Sequence, residues 1–258
     1  MNDTARMKAI LVAAATLAFV ASPWVSGQFG GFDPNRFPIP QIDPPVQPAG
    51  YAFSIWGLIY LWLLVHAGYG LLKRAEDGGW DATRWPLLVS LVVGAAWIPV
   101  ALQSPIWAMV LILVMLAGAL VALFRAPRNE PLVSTAPLSI YAGWLTAASL
   151  VSIAVNGAGY GIVMGATGWA WVAVVILCVF GVAVQRRLGA VPGYGLTIAW
   201  ALVGVAVQNL GGNLALTVVA ALCAIWFAVL ALRAARSNHS LSKPSDPQGP
   251  CFGRAARP

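Results

Sequence analysis

The chain has 258 residues, 60% of them hydrophobic and 9% charged, against about 25% charged in an ordinary soluble domain, so a water-soluble fold could not hide its apolar surface. The formal charge of +7 does not point to nucleic acid, because the basic residues stand singly or in pairs between apolar runs instead of along one face. Cys178, Cys223 and Cys251 lie far apart in sequence with no CxxC pair and no companion histidines, and define neither a metal site nor a disulfide framework.

A membrane-spanning helix needs about 20 mostly apolar residues, and it satisfies its own backbone in a solvent that offers no hydrogen bonds. Apolar runs set against their breakers give eight such spans, near 8–26, 50–72, 85–103, 105–124, 136–155, 169–185, 193–209 and 214–235. The expected fold is therefore all-α, a polytopic membrane bundle of about eight helices. The first span reads as a retained helix and not a cleaved signal peptide, because its apolar stretch continues to Val25 and includes Trp24. Between the first two spans, residues 27–49 carry six prolines, Pro34, Pro38, Pro40, Pro44, Pro45 and Pro48, and form a semi-rigid connector. It reads equally as a spacer or as a lid over a cavity. Gln103, Ser104 and Pro105 make one tight turn and Gly211, Gly212 and Asn213 another. Residues 237–258 have the composition of a disordered tail.

Lysine and arginine fix the expected orientation, since short cytoplasmic loops retain positive charge. With the N-terminus inside, 14 of the 15 basic residues fall on the cytoplasmic side and Arg36 alone falls outside. A wrong span count would scramble that alternation. Both termini are thus expected in the cytoplasm, with the protein in a bacterial inner membrane.

No Asp, Glu, Lys or Arg lies deep within any of these spans, which disfavours an ion-coupled pump or proton relay. No lysine is placed to form a buried Schiff base. His66, the one histidine in a span, reads as a polar contact near the headgroups more readily than as a haem ligand. Aromatic surface is abundant instead, with twelve tryptophans. Trp24, Trp80, Trp85, Trp107, Trp169 and Trp171 lie at or just outside span ends, as an interfacial belt requires. Trp56, Trp62, Trp97, Trp144, Trp200 and Trp226 lie further in, where an indole N–H must find a partner or a cavity. The second span runs inward while the third runs outward, so Trp56, Trp97 and Pro99 share the outer half with the connector. A flat apolar ligand could be held there between indole faces. Ser149, Ser152, Asn156, Gln208 and Asn209 are further polar groups, read first as helix-to-helix contacts.

The segment from Pro48 to Tyr60, with prolines followed by Trp56 and Tyr60 as Trp-x-x-x-Tyr, resembles the second helix of the TspO/MBR family of tryptophan-rich sensory or translocator proteins. Trp97-Ile98-Pro99 is similar to that family's Trp-x-Pro in its third helix, and Tyr141-Ala142-Gly143-Trp144 to the start of its fifth. Order and spacing agree over residues 8–156. The resemblance implies a five-helix unit at 1–156, binding a tetrapyrrole such as a porphyrin or a sterol-like ligand, with Trp56, Tyr60, Trp97 and Trp144 among the pocket aromatics. Gly94 and Ser152 stand where the family has asparagine, and residues 157–236 supply three further helices without counterpart in its compact members.

The leading expectation is a membrane protein that binds or transports a hydrophobic planar ligand, in a sensory or regulatory setting, through Trp56, Tyr60, Trp97, Pro99 and Trp144. The alternative is a small-solute transporter using Gln208 and Asn209, with helix breaks at Gly157 to Gly161 and Gly211 to Asn213. An enzyme comes third, since no nucleophile-and-base pair or metal cage is visible. No cofactor is expected beyond such a tetrapyrrole ligand. The partners admitted are the lipid bilayer, the small molecule and a second copy of the chain, with no nucleic acid.

Overall fold

The computed structural model describes residues 3–27 and 29–241 and is all-helical over them. Its helices are α1 (Asp3–Ser26), α2 (Ile55–Leu72), α3 (Gly78–Ala101), α4 (Pro105–Arg125), α5 (Thr135–Gly159), α6 (Ala166–Leu188), α7 (Pro192–Gln208) and α8 (Leu214–Leu241). Seven are long and apolar enough to cross a membrane, the second when counted from Gly50. The eighth, α7, has 17 residues, or about 25 Å of helix. The protein is a polytopic membrane bundle.

Local chemistry sets the helix ends. Asp77 caps α3 by accepting hydrogen bonds from the amides of Gly79 (2.8 Å) and Trp80 (3.1 Å). The helix therefore starts seven residues before the first residue of the apolar run at 85. As a consequence Trp80 is buried, not interfacial, with its indole stacked on the His66 ring at 4.8 Å. Ser104 and Pro105 turn α3 into α4, the serine capping and the proline filling the first helical position, where a missing N–H costs nothing. Asn213 caps α8 through the Leu216 amide at 3.0 Å. This last helix runs to Leu241, into the segment read as a tail, and the rest of that segment lies outside the described residues.

Helix α5 is the hub. Of its most apolar 18-residue window 72% is buried, against 28–39% for the other six long helices, and it packs against α2, α4, α6 and α7. The remaining helices keep a lipid-facing stripe. Leu61, Val92, Val179 and Ile225 all stand more than half exposed, as the outer surface of a membrane bundle requires.

Polar ties gather in two layers at opposite ends of the bundle. At one end the buried Arg84 guanidinium donates to the carbonyls of Ala5 (2.7 Å), Ala75 (2.8 Å) and Arg74 (2.7 Å). Lys8 pairs with Asp81 at 2.7 Å. Glu130 accepts hydrogen bonds from the Arg74 guanidinium and the Tyr69 hydroxyl. Those bonds hold the Glu130 carboxyl down at about 2, with Arg74 the larger cause. His66 Nδ1 lies 2.8 Å from the Val133 carbonyl and must donate to it, since that oxygen can only accept. That is the polar contact expected of His66, and no cluster suited to a metal occurs among the described residues.

At the other end the connector ties the C-termini of α3, α5 and α7 together. Arg36 donates to the Gln103 carbonyl (3.4 Å), Ile39 N–H to the Gly159 carbonyl (2.9 Å), and Asn209 Nδ2 to the Pro45 carbonyl (2.8 Å). Helix α7 is short but well packed. Ten of its residues are buried, and Asn209, the residue that follows the helix, is buried with them and held by the connector.

Two thiols widely separated in sequence do meet. Cys178 on α6 and Cys223 on α8 lie 3.0 Å apart, both free.

Candidate ligand-binding cavity

A cavity of about 490 Å³ lies between α1–α5 and the connector, within the range of small-molecule sites. Each helix contributes one face. From α5 come Trp144, Ala147, Ala148, Val151 and Ser152, the i, i+3, i+4, i+7, i+8 spacing of a single helical stripe, with Leu145 at its edge. Trp56, Gly57 and Tyr60 of α2 extend a stripe that begins at Phe53 in the short 3-10 turn Gly50–Ser54. Gly94, Trp97 and Ile98 come from α3, Ile112 and Met115 from α4, and Phe19, Pro23 and Trp24 from α1. Phe29, Gly31, Phe32, Gln47 and Pro48 belong to the connector, which therefore forms a wall of the cavity and not merely a spacer.

The rings are packed mostly edge to face. Trp56 stacks on Tyr60 at 5.4 Å and meets Trp144 edge-on at 6.2 Å. Phe19 lies nearly perpendicular to both Trp56 (5.9 Å) and Tyr60 (5.3 Å). Phe29 of the connector caps Trp97 at 4.7 Å, and Phe53 meets Trp144 at 5.8 Å. Such perpendicular pairs are a preferred geometry of aromatic rings.

Of the residues singled out from sequence, Trp56, Tyr60, Trp97 and Trp144 line this one cavity and Pro99 does not. Pro99 sits half-buried further along α3, its carbonyl accepting from Gln103 Nε2 at 3.1 Å. The other inner tryptophans lie elsewhere. Trp62 donates to the Leu132 carbonyl (2.8 Å) and Trp200 to the Ala52 carbonyl (2.9 Å), while Trp226 is half exposed on α8. Trp97 spends its own indole N–H on the Ala108 carbonyl at 2.9 Å, so it offers the cavity a ring and no donor.

Phe19, Phe29, Phe32 and Phe53 were not singled out. A phenylalanine in an apolar span carries no mark of facing a cavity instead of lipid. In the connector a signal existed, because Phe29 and Phe32 sit in a proline-rich segment that has no other reason to be aromatic. The glycine at 94 is also explained here. A Cβ at that position would lie 2.8 Å from Phe19 Cε2 and 3.0 Å from Met115 Cε, so its absence lets the Phe19 ring enter the wall.

No described residue of α6–α8 lines the cavity. The later helices act on it through the connector. Ala49 N–H donates to the Gly204 carbonyl at 3.0 Å, and Tyr51 meets Trp200 edge-on at 5.6 Å. The approach is tight enough that a Cβ on Gly204 would lie 2.8 Å from Pro48 Cβ and 2.9 Å from Ala52 Cβ. Asn209 spends both hydrogens of its amide nitrogen, on Pro45 and on Val205 one turn back. A solute-lining role for Asn209 would have to break those bonds. Gly157 and Gly159 belong to an unbroken α5, with Trp169 and Phe37 packed on their bare faces.

A family model described as TSPO-like protein covers residues 9–233. No curated protein and no solved structure matches the chain.

Proposed function

We propose a function from one premise: the chain belongs to the TSPO-like protein family. It is an integral membrane protein that binds or transports a hydrophobic, flat ligand of tetrapyrrole or sterol-like class in its aromatic cavity. What supports the reading is a space of about 490 Å³ walled by indole and phenyl rings from α1, α2, α3, α5 and the connector. A planar apolar molecule can there replace lipid contacts with ring faces on several sides. The connector end faces away from the cytoplasm, in keeping with the basic residues gathered at the opposite end, and the membrane is a bacterial inner membrane.

Titration of the protein in nanodiscs with a porphyrin, followed by tryptophan quenching, tests the site. Trp56→Phe with Trp144→Phe is expected to weaken binding by about tenfold, through lost ring area at two walls. An affinity unchanged in that double variant would remove the cavity as the binding site.

A further inference from the structure

The cavity makes no use of the two thiols that meet between α6 and α8. Cys178 stands near the middle of α6 and Cys223 near the middle of the membrane-spanning part of α8, about 18 Å along from Ala166 and about 14 Å along from Leu214. Both helices start at the connector end, so both carry a thiol to the centre of the membrane. The two are 45 residues apart in sequence and 3.0 Å apart in space. A disulfide bond is about 2.05 Å long, so the sulfurs need to close by only about 1 Å.

The pair sits where the packed face of each helix gives way to lipid. On α6, Val174 and Gly181 are buried while Val175 and Val179 are exposed. On α8, Ala220 and Phe227 are buried while Leu222 and Trp226 are exposed. Both thiols are themselves half-buried and free. Neither helix carries a charged residue until Arg186 on α6 and Arg233 on α8, so no polar path leads along them to the sulfurs. A small apolar molecule dissolved in the bilayer can reach this boundary, whereas an ion would have to shed its water to do so.

We infer that Cys178 and Cys223 form a modification site, a dithiol that lipid-soluble hydroperoxides oxidise to a disulfide joining α6 to α8. One thiol attacks the terminal peroxide oxygen: an S–O bond forms, the O–O bond breaks, and the thiol proton leaves with the alcohol. The second thiol attacks the sulfenic sulfur: the S–S bond forms, the S–O bond breaks, and water leaves. The two thiols lose two electrons and the hydroperoxide gains them, so no further reactant is needed. The neighbour decides the product, because a sulfenic acid beside a second thiol condenses to a disulfide before it can oxidise further. The new bond closes a loop that contains all of α7, the helix whose Gly204 carbonyl holds the connector.

The full chain with Cys251→Ser, whose remaining cysteines are this pair, tests the inference in nanodiscs. It is treated with cumene hydroperoxide or with oxidised glutathione, a charged reagent confined to water, and mapped by non-reducing mass spectrometry. The hydroperoxide is expected to give a peptide linked through Cys178 and Cys223 within one chain, with one cumyl alcohol released per disulfide. It should do so at least about tenfold faster than oxidised glutathione, since exchange depends on access. With Cys223→Ala or Cys178→Ala added no link can form, and in at least one of the two the remaining thiol is expected to run on to sulfinic acid. Thiols that stay reduced while dodecanethiol in the same nanodiscs is consumed would overturn the inference. So would a link between two chains instead of within one, a disulfide formed as fast by oxidised glutathione, or a remaining thiol left unoxidised in both alanine variants.

Discussion

Helices α1–α5 surround the cavity with aromatic side chains, whereas α6–α8 contribute no described residue to its wall. The two regions meet the connector differently. In the first, connector rings such as Phe29 pack onto Trp97 and form part of the cavity wall. In the second, the connector's backbone is grasped: Gly204 and Asn209 bind Ala49 and Pro45 directly, and the Trp200 indole holds Ala52 at the start of the second span. The difference teaches a division of labour. Ring surface, which tolerates many flat ligands, sits in one half, which also ties the connector through Gln103 and Gly159, while the other half meets the wall through hydrogen bonds and the Trp200 ring alone.

The largest break in that division should come from Gly204→Val. Its side chain would be driven into Pro48 and Ala52, and neither can move without shifting the connector backbone. Overpacking of this kind costs about 1–3 kcal/mol. Ligand affinity is expected to fall by about tenfold or more although no lining residue has changed, and a native affinity measured by quenching would show that α7 does not act on the cavity.

Asn209→Ala is a gentler probe of the same grip. Loss of the bond to the Pro45 carbonyl is worth about 1 kcal/mol, so ligand dissociation measured by stopped flow should quicken by about fivefold. A larger effect than that of Gly204→Val would reverse the ranking argued from packing.

The smallest effect belongs at the far end of the bundle, where Glu130 joins the loop before α5 to Arg74 and Tyr69. Its folded carboxyl titrates near 2, below the ordinary value of 4.5. A depressed carboxyl stabilises the fold above pH 4.5, and that contribution is lost as the pH falls from 4.5 toward 2. The melting temperature should therefore drop across that window, and Glu130→Gln should flatten the drop while leaving ligand affinity at neutral pH unchanged. A loss of affinity in that variant would mean the two ends of the bundle are coupled, contrary to the division.

Much of this architecture is legible in the sequence, for a physical reason. A lipid solvent forces each span to be apolar and uninterrupted, so eight runs and their breakers give eight helices. Turn chemistry such as Ser104-Pro105 and Asn213 marks where they reverse. What hydropathy missed is the start of α3. The Asp77 cap and two glycines extend the helix beyond the oily run and bury Trp80, a residue that the belt argument places at the surface. The site is legible in part. Trp56, Tyr60, Trp97 and Trp144 stand out by type and depth, while Pro99, chosen for its place beside Trp97, does not line the cavity. Ser152 reads in the sequence first as a contact between helices, yet it belongs to the cavity lining. Glycines that matter by what packs on them, Gly94 under Phe19 and Gly204 under Pro48, look like any other glycine until the chain is folded.

The central claim is that ligand sits inside α1–α5 and that α6–α8 only hold the wall. Photolabelling with a diazirine-bearing uncharged porphyrin ester, followed by peptide mapping, tests it most directly. The account predicts adducts on peptides containing Trp56, Trp97 and the Trp144–Ser152 stripe, competed away by unlabelled ester. Competed adducts on α6–α8 instead would contradict it.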